Sequence, residues 1–447
     1  MVRLPEVPGA GSSNAHMTVS LRPERVASNL CLSAVILLAL AYGFDRPLYL
    51  GVLRLVSVQP WDYPFMDWEW VPSSIHCWAE GVNVYLENTC YAPVPHIKYA
   101  YSPLLLRATF LPGSPAWTNA IGLAMAVLFA LSIRLLRAPG TGFAVAVMAL
   151  STVSSEAVFS LERGQVDTLV FLLAVAGVWL WARSHGARLL AYAGWTFAGL
   201  MKFYPLVLLV LAMRERRRDL ILIAATVAAL CALFVWGYRD ELLLALRGVP
   251  GGNPFVFWIG AMNLPGGIAM LAGWPNPAPR LLWAALVLAV LLLGAGLATR
   301  GGVGTALEAM PTRERGMFLA GALLMGGCFA TGESQGYRAI LLILAVPGLL
   351  SMAHALRDRL ARSCFRLGCL AAPFVLWQPG LKQLLYRAGL SPSIDSRASP
   401  AGIAHFVLNE LAWWWLMALL LSGVIAFALR SARHLVGAPR TGALRSA

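Results

Sequence analysis

Residues 220–238 read LILIAATVAALCALFVWGY, a run without a single charge. That is about the 20 residues a helix needs to cross the hydrocarbon core of a bilayer. Backbone polar groups cannot stay unpaired in lipid, so the run must be helical. A membrane β-barrel is excluded, because its strands would alternate apolar and polar residues. Working outward, Ser28–Phe44, Val166–Ala182, Leu281–Thr299 and Leu411–Leu429 repeat the pattern with at most one charge apiece. The 447 residues are 59% hydrophobic and 13% charged, against about 25% charged in a soluble domain. Too few polar groups remain to cover a surface in water. The expected fold is an all-α polytopic transmembrane bundle.

Ten full crossings can be drawn, at 27–44, 116–134, 141–160, 166–182, 219–238, 280–299, 316–332, 337–355, 365–379 and 409–430. The segment just before the opening run resists this scheme. Leu189–Met213 reads LLAYAGWTFAGLMKFYPLVLLVLAM and is basic at both ends, with Arg183 and Arg188 before it and Arg214, Arg216, Arg217 and Arg218 after. As one crossing it would carry four arginines outward, against the positive-inside rule. Lys202 and Pro205 near its middle also suit a lipid-facing helix badly. A re-entrant helical hairpin over 189–213, entering and leaving on the cytoplasmic side, resolves both conflicts.

The net charge of +14 would suit nucleic acid, but its distribution does not. Basic residues cluster in short turns between apolar spans, which is the signature of membrane topology. With the hairpin in place both termini fall in the cytoplasm of a bacterial inner membrane, and acidic groups concentrate outside. The expected organisation is a cytoplasmic tail at 1–27, a transmembrane domain at 28–430 and a cytoplasmic tail at 431–447. The first 20 residues and the last dozen read as disordered. The first span has no small-residue cleavage site close behind it and reads as a retained helix. A first periplasmic loop at 45–115 is far longer than a connection needs. Cys77 and Cys90 share it, and an oxidising periplasm would allow them to pair.

That loop holds the richest chemistry. Asp67 and Glu69 stand among Trp61, Phe65, Trp68 and Trp70. A carboxylate beside aromatic rings is partly desolvated, which favours a general base; taken singly, each also reads as a solvated loop charge. Ser160–Asp167 places Gln165 and Asp167 at an external turn, where an acidic residue also simply suits a helix N-terminus. Lys202 is costly in an apolar segment unless it is paired or faces an anion, and phosphate is a natural partner. Asn263, Glu333, Arg338, His76, His96 and His405 read as structural.

Taken in order, the pieces are Asp67 in a long first loop, Gly-Val-Asn-Val-Tyr at 81–85, Tyr-Ala-Tyr-Ser-Pro at 99–103, Gly-Gln at 164–165, and Lys-Phe-Tyr-Pro at 202–205 before an arginine cluster. Over residues 28–270 this resembles the membrane glycosyltransferases of the C-type (GT-C) fold. The nearest branch is the polyprenol-phosphate-mannose-dependent alpha-mannosyltransferases. The family usually has Tyr-Pro-Pro where this chain has Tyr101–Pro103, and often Asn at the place of Asp167. The resemblance implies transfer of a hexose, mannose in that branch, from a polyprenyl-phosphate sugar to an extracytoplasmic glycan or glycolipid, with inversion. It implies Asp67 as catalytic base, with Glu69 next in line. Lys202 would sit at the donor phosphate, and Tyr85, Tyr101, Gln165 and Asp167 at sugar or acceptor. No cofactor is required, although Asp67 and Glu69 have the chemistry to hold a divalent metal.

Three other readings compete. A transporter or flippase would carry paired repeats and broken helices near the midplane, and only one broken segment is visible. A glycan polymerase or ligase would place its large loop late in the chain. A non-catalytic scaffold leaves Lys202 unexplained.

Overall fold

In the computed structural model, residues 22–59, 61, 63–91, 98–248, 252–256, 258–331 and 334–435 are described. The tails expected to be disordered fall outside these, as do His96 and Glu333. Helices α1 (Pro23–Phe44) and α2 (Arg46–Leu55) lead to α3 (Met66–Ala79) and α4 (Pro103–Leu106). There follow α5 (Pro115–Ser132), α6 (Gly142–Thr152), α7 (Ser155–Glu162), α8 (Val166–Trp181) and α9 (His185–Lys202). A 3-10 segment, Tyr204–Arg214, precedes α10 (Arg217–Gly237) and α11 (Arg239–Arg247). The second half runs β1 (Trp258–Ile259), α12 (Asn263–Ala272), α13 (Ala278–Thr299), α14 (Val303–Ala309), α15 (Thr312–Ala330) and β2 (Ser334–Gln335). A second 3-10 segment, Gly336–Leu344, leads into α16 (Val346–Ala355), α17 (Arg359–Leu376), α18 (Gln378–Arg387) and α19 (Pro400–Leu435).

Five helices are long and apolar enough to cross a membrane: Pro23–Phe44, Trp117–Leu135, Arg217–Gly237, Ala278–Thr299 and Pro400–Arg433. Three bent pairs bring the count to eight if each is one span. The protein is thus an all-α polytopic membrane protein, and the ten crossings drawn from sequence stand against these five to eight. Two helices account for the gap. α8 has 16 residues, and α15 carries Arg313, Glu314 and Arg315 in its first turn. α10 and α13 turn almost wholly outward, exposing Ile221, Leu230, Trp236, Leu288 and Leu292, a surface suited to lipid. α15, the second 3-10 segment and α16 form the interior, where Phe318, Leu319 and Ile340–Leu344 are fully buried.

The single crossing expected at 141–160 is bent by 40° between α6 and α7. Hydroxyls explain the break. Thr152 Oγ1 donates back to the Met148 carbonyl (3.0 Å), while Ser154 Oγ caps α7 by accepting from the Ala157 N–H (3.3 Å). Such side chains offer the backbone an alternative to helical bonding. At the far end, the crossing drawn at 409–430 lies within a helix that already begins at Pro400. With 36 residues, α19 is about 54 Å long, well over the roughly 30 Å of a hydrocarbon core.

The segment 189–213 folds back on itself. Arg188 on α9 donates to both oxygens of Glu215 (2.5 and 3.0 Å), and the Tyr192 hydroxyl donates to Glu215 (2.9 Å). Those contacts join the entry and exit of the hairpin. Near its tip the backbone approaches so closely that a Cβ on Gly199 would lie 2.4 Å from Leu206 Cγ. The reversal is made at Phe203, with φ of 62°, just ahead of Pro205. α8 packs against α9 antiparallel: a Cβ on Gly177 would strike Trp195, and Trp181 Nε1 donates to the Tyr192 hydroxyl (3.1 Å). In antiparallel register, the start of α8 meets the end of α9. That is where Asp167 and Lys202 stand.

Candidate active site

Lys202 Nζ donates to Asp167 Oδ2, and the Tyr204 hydroxyl donates to Asp167 Oδ1 (2.6 Å). The pair is closed off, with the Asp167 side chain fully buried and that of Lys202 4% exposed. A third group arrives from the other half of the chain: Arg338 Nε lies 3.8 Å from Asp167 Oδ1, and Arg338 NH1 donates to Ser334 Oγ (2.7 Å). Ser334 belongs to β2, which pairs antiparallel with β1 and so fixes where Arg338 begins. Two cations therefore converge on one carboxylate. Lys202 is buried, while the Arg338 side chain keeps 25% of its surface exposed, so the net positive charge beside Asp167 is open on the Arg338 side and suits an anion there.

The rings of Tyr101 and Tyr337 cover Lys202, with Nζ 4.9 Å and 5.8 Å from their centroids. Tyr101 also touches Trp70 at 5.2 Å and Tyr99 at 5.7 Å. Tyr85 lies one layer further out, against Tyr99, and its hydroxyl donates to the Tyr101 carbonyl (3.4 Å). It braces Tyr101 and touches neither Lys202 nor Asp167. Cys77 and Cys90 are joined by a disulfide that ties the end of α3 to the strand of loop behind it.

Asp67 enters from α3. The amide groups of Phe65, Asp67 and Trp68 donate to the carbonyls of Glu162 (2.6 Å) and Arg163 (3.1 and 3.2 Å), so the turn after α7 caps the start of α3. Gly164 makes this approach feasible. Its φ is +63°, and a Cβ there would lie 2.9 Å from Trp68 Cβ. The same turn presents Gln165, whose Nε2 donates to Asp67 Oδ2, and Arg163, whose NH1 lies 3.7 Å from Asp67 Oδ1. Arg163 is held in turn by the Gln59 carbonyl (2.8 Å). The Asp67 side chain retains 27% of its surface in the open. Loss of water around its carboxyl raises the pKa above the ordinary carboxylate value, opposed by Arg163 first and then by Lys202 and Gln165.

Of the residues singled out in the sequence, Asp67, Gln165, Asp167, Lys202 and Tyr101 come together. Tyr85 supports from behind. Glu69 lies on α3 with its Oε2 buried and without a hydrogen-bond partner, outside the Asp67–Gln165 link. Asp167, expected at sugar or acceptor, instead has both oxygens taken by Lys202 and Tyr204. The sequence alone reads Arg338 as structural and gives Tyr204, Tyr337 and Arg163 no role. For Tyr204 and Arg163 a signal existed, since both sit inside motifs quoted for their neighbours. For Arg338 there was no local signal, because its partners lie in the first half of the chain. Among the described residues, the one group of His and acidic side chains close enough to share a metal is His185, Glu215 and Asp219. It stands at the opposite end of the hairpin, where Arg188 already holds Glu215.

No curated protein and no solved structure matches this chain. The model of glycosyltransferase family 87 matches residues 95–326, which include Tyr101, Gln165, Asp167 and Lys202. An apolar helical bundle, a partly open carboxylate beside a cationic pocket and a family match over half the sequence agree, and the chain belongs to glycosyltransferase family 87 as a membrane glycosyltransferase.

Proposed function

We propose that the enzyme transfers a hexose, mannose in the first instance, from a polyprenyl-phosphate sugar to a hydroxyl of an extracytoplasmic glycan or glycolipid. The observation that carries this reading is the convergence of Lys202 and Arg338 on the single carboxylate of Asp167, beside a separate and more open carboxylate, Asp67. A phosphate diester resting at Lys202 and Arg338 would complete their charge. Asp67 would accept the proton of the acceptor hydroxyl as its oxygen attacks the anomeric carbon. The new C–O bond forms as the bond to the phosphate oxygen breaks, and that electron pair leaves on polyprenyl phosphate, with inversion. Charge building on the leaving phosphate is stabilised by cations already in place. Asp167 is then a positioning residue that orients Lys202, and Tyr101 and Gln165 border the sugar. No step calls for a divalent ion.

The orientation proposed is a bacterial inner membrane with both termini cytoplasmic and α3 periplasmic. α9 has 18 residues, so the hairpin reaches about 27 Å from its charged base, nearly the thickness of the hydrocarbon core. A re-entrant hairpin of that depth carries Lys202 to the periplasmic side, where Asp67 is. Counting α8 and α15 as spans, the alternation gives ten crossings.

The deciding experiment is transfer from a panel of radiolabelled polyprenyl-phosphate sugars, in membranes holding wild type or Asp67→Asn. Transfer by wild type that disappears in the variant supports both reaction and base. Transfer that survives moves the base to Glu69. Failure with every donor, in membranes supplied with native acceptor, shifts the reading to a transporter or flippase of a lipid-linked substrate.

A further inference from the structure

A cleft of about 430 Å3 opens between the start of α6, the end of α16 and α17. It lies at the end of the bundle away from Asp67: α6 and α7 put about 30 Å of helix between it and the turn that carries Arg163 and Gln165. Ala144, Leu350 and Ala353 form a buried floor, and Phe143 and Leu370 form exposed edges. Leu150, two turns along α6 from Phe143, and Leu367, one turn back from Leu370, are exposed as well, so the same side of both helices is apolar and suited to lipid. The polar side chains of the cleft are Thr141, which caps α6 by accepting from the Ala144 N–H (3.1 Å), and the exposed basic pair His354 and Arg366. Among the described residues no acidic side chain lines it. Arg366 stands seven residues into α17, about 10 Å beyond Arg359 at the helix start. Arg362, one turn earlier, donates to the carbonyls of Leu356 (2.7 Å) and Arg357 (3.4 Å), and Asp358 caps α17 by accepting from the Ala361 N–H (2.7 Å). Arg366 itself makes no hydrogen bond or ion pair among the described residues. A guanidinium that far along a lipid-facing helix needs water or an anion.

We propose that this cleft is a binding site for an anionic phospholipid of the leaflet opposite Asp67, which the orientation proposed above makes the cytoplasmic one. The lipid phosphate rests between Arg366 and His354, and one acyl chain lies over Ala144, Leu350 and Ala353. Three features select that occupant. A guanidinium donates two parallel hydrogen bonds to phosphate oxygens. With no acidic side chain lining the cleft, a headgroup of net negative charge is favoured over a zwitterionic one, whose own cation would face Arg366. The apolar floor continues onto surface that already faces lipid, so the chain enters sideways without leaving the bilayer, whereas a free phosphate would leave the floor uncovered. Basic pockets between transmembrane helices recognise anionic headgroups in this way. A reacting sugar donor is excluded as occupant, because its anomeric carbon must reach Asp67 at the other end of the bundle. The site is therefore independent of which donor the enzyme uses.

The test titrates delipidated full-length protein in detergent with phosphatidylglycerol, read by native mass spectrometry, with phosphatidylcholine and inorganic phosphate as comparison probes. Wild type should hold one phosphatidylglycerol more tightly than phosphatidylcholine, and inorganic phosphate should not displace it. Arg366→Gln should weaken that binding about tenfold, as the loss of charge-assisted hydrogen bonds to a phosphate implies. Arg357→Gln, at an exposed arginine between α16 and α17 that does not line the cleft, should leave it unchanged. Both substitutions are on the surface, so the fold should tolerate them. Location is read with a phosphatidylglycerol carrying a photoreactive group on one chain, which should label α6 and α17 peptides in wild type and lose that labelling in Arg366→Gln. Equal weakening by Arg366→Gln and Arg357→Gln would reduce the effect to general surface charge and overturn the proposal. Phosphatidylcholine bound as tightly as phosphatidylglycerol, displacement by inorganic phosphate, or labelling confined to other helices would overturn it too.

Discussion

Lys202 closes on Asp167 across 35 residues of sequence, at the one end of the α8–α9 pair that faces Asp67. The contact depends on antiparallel register, not on proximity in the chain. It also depends on the turn at Phe203, which ends α9 just after Lys202. Removing one partner of a buried ion pair leaves an uncompensated charge, at a cost of about 3–5 kcal/mol. Asp167→Asn and Lys202→Met should therefore each lower the melting temperature in detergent. The double variant should recover much of that loss, because both charges are gone. Transfer should not recover: the loss of one preorganised cation costs on the order of 10²–10³ in kcat. A double variant that regains transfer would show Lys202 to be structural only.

Arg338 is the second cation, and it approaches Asp167 less closely, at 3.8 Å. Arg338→Gln should leave the Lys202–Asp167 pair in place and weaken the hold on the donor. We expect a donor KM raised about tenfold with the acceptor KM unchanged, read from initial rates at varied concentrations of each. Arg338→Lys should restore only part, because a lysine cannot keep the Ser334 contact and face the pocket together.

The pH dependence should report Asp67. Its carboxyl is shifted above an ordinary aspartate, near 3.9, and must be ionised to accept a proton. Transfer should therefore rise with pH through a pKa above that value. Arg163 is the main group opposing the shift, so Arg163→Met should raise the pKa further and move the acid limb to higher pH. Arg163→Lys should move it less. A limb that stays in place in Arg163→Met would assign the titration to another group. Chelation with EDTA should leave the rate unchanged throughout.

Parts of this arrangement were legible in the sequence because their costs are local. Arginines on both sides of Leu189–Met213, with Lys202 and Pro205 inside, mark the segment as unlike its neighbours, and the chain turns at Phe203 so that Arg188 meets Glu215. Asp67 and Lys202 stand out because a charge among apolar residues needs a reason. Arg338 does not stand out, since an arginine near the end of a span has an ordinary use in membrane topology. What gives it a role is β1–β2 pairing and contact with Asp167, both set by packing between the two halves. The bend between α6 and α7 was hidden for another reason: hydropathy sees Ser151, Thr152, Ser154 and Ser155 as mild interruptions, whereas their hydroxyls redirect the backbone.

The hairpin makes a topological prediction. Arg188 and Glu215 meet at its base, so the chain before α9 and the chain after the 3-10 segment must lie on one side of the membrane. A reporter fused after Arg218 should read cytoplasmic, as should one placed at Ser184. A periplasmic signal after Arg218 with a cytoplasmic one at Ser184 would require Leu189–Met213 to cross, and would reverse every later span.

Gly164 offers a test of how tightly Asp67, the proposed base, is placed. It adopts φ of +63°, and an added methyl would meet Trp68 Cβ at 2.9 Å and Phe65 Cβ at 3.2 Å. Gly164→Ala therefore suffers twice, through left-handed backbone, at roughly 1 kcal/mol or more, and through a contact that only a shift of α3 relieves. The start of α3 carries Asp67 and takes its hydrogen bonds from this same turn. Displacement by about 1 Å is enough to cost on the order of 10²-fold in rate. We expect kcat to fall by about that factor with the donor KM little changed, since Lys202 and Arg338 are held by other elements. In an Asp67→Asn background the same substitution should cost almost nothing more, because there is no longer a base to misplace. A further drop there would mean that the turn acts on the donor pocket and not through Asp67.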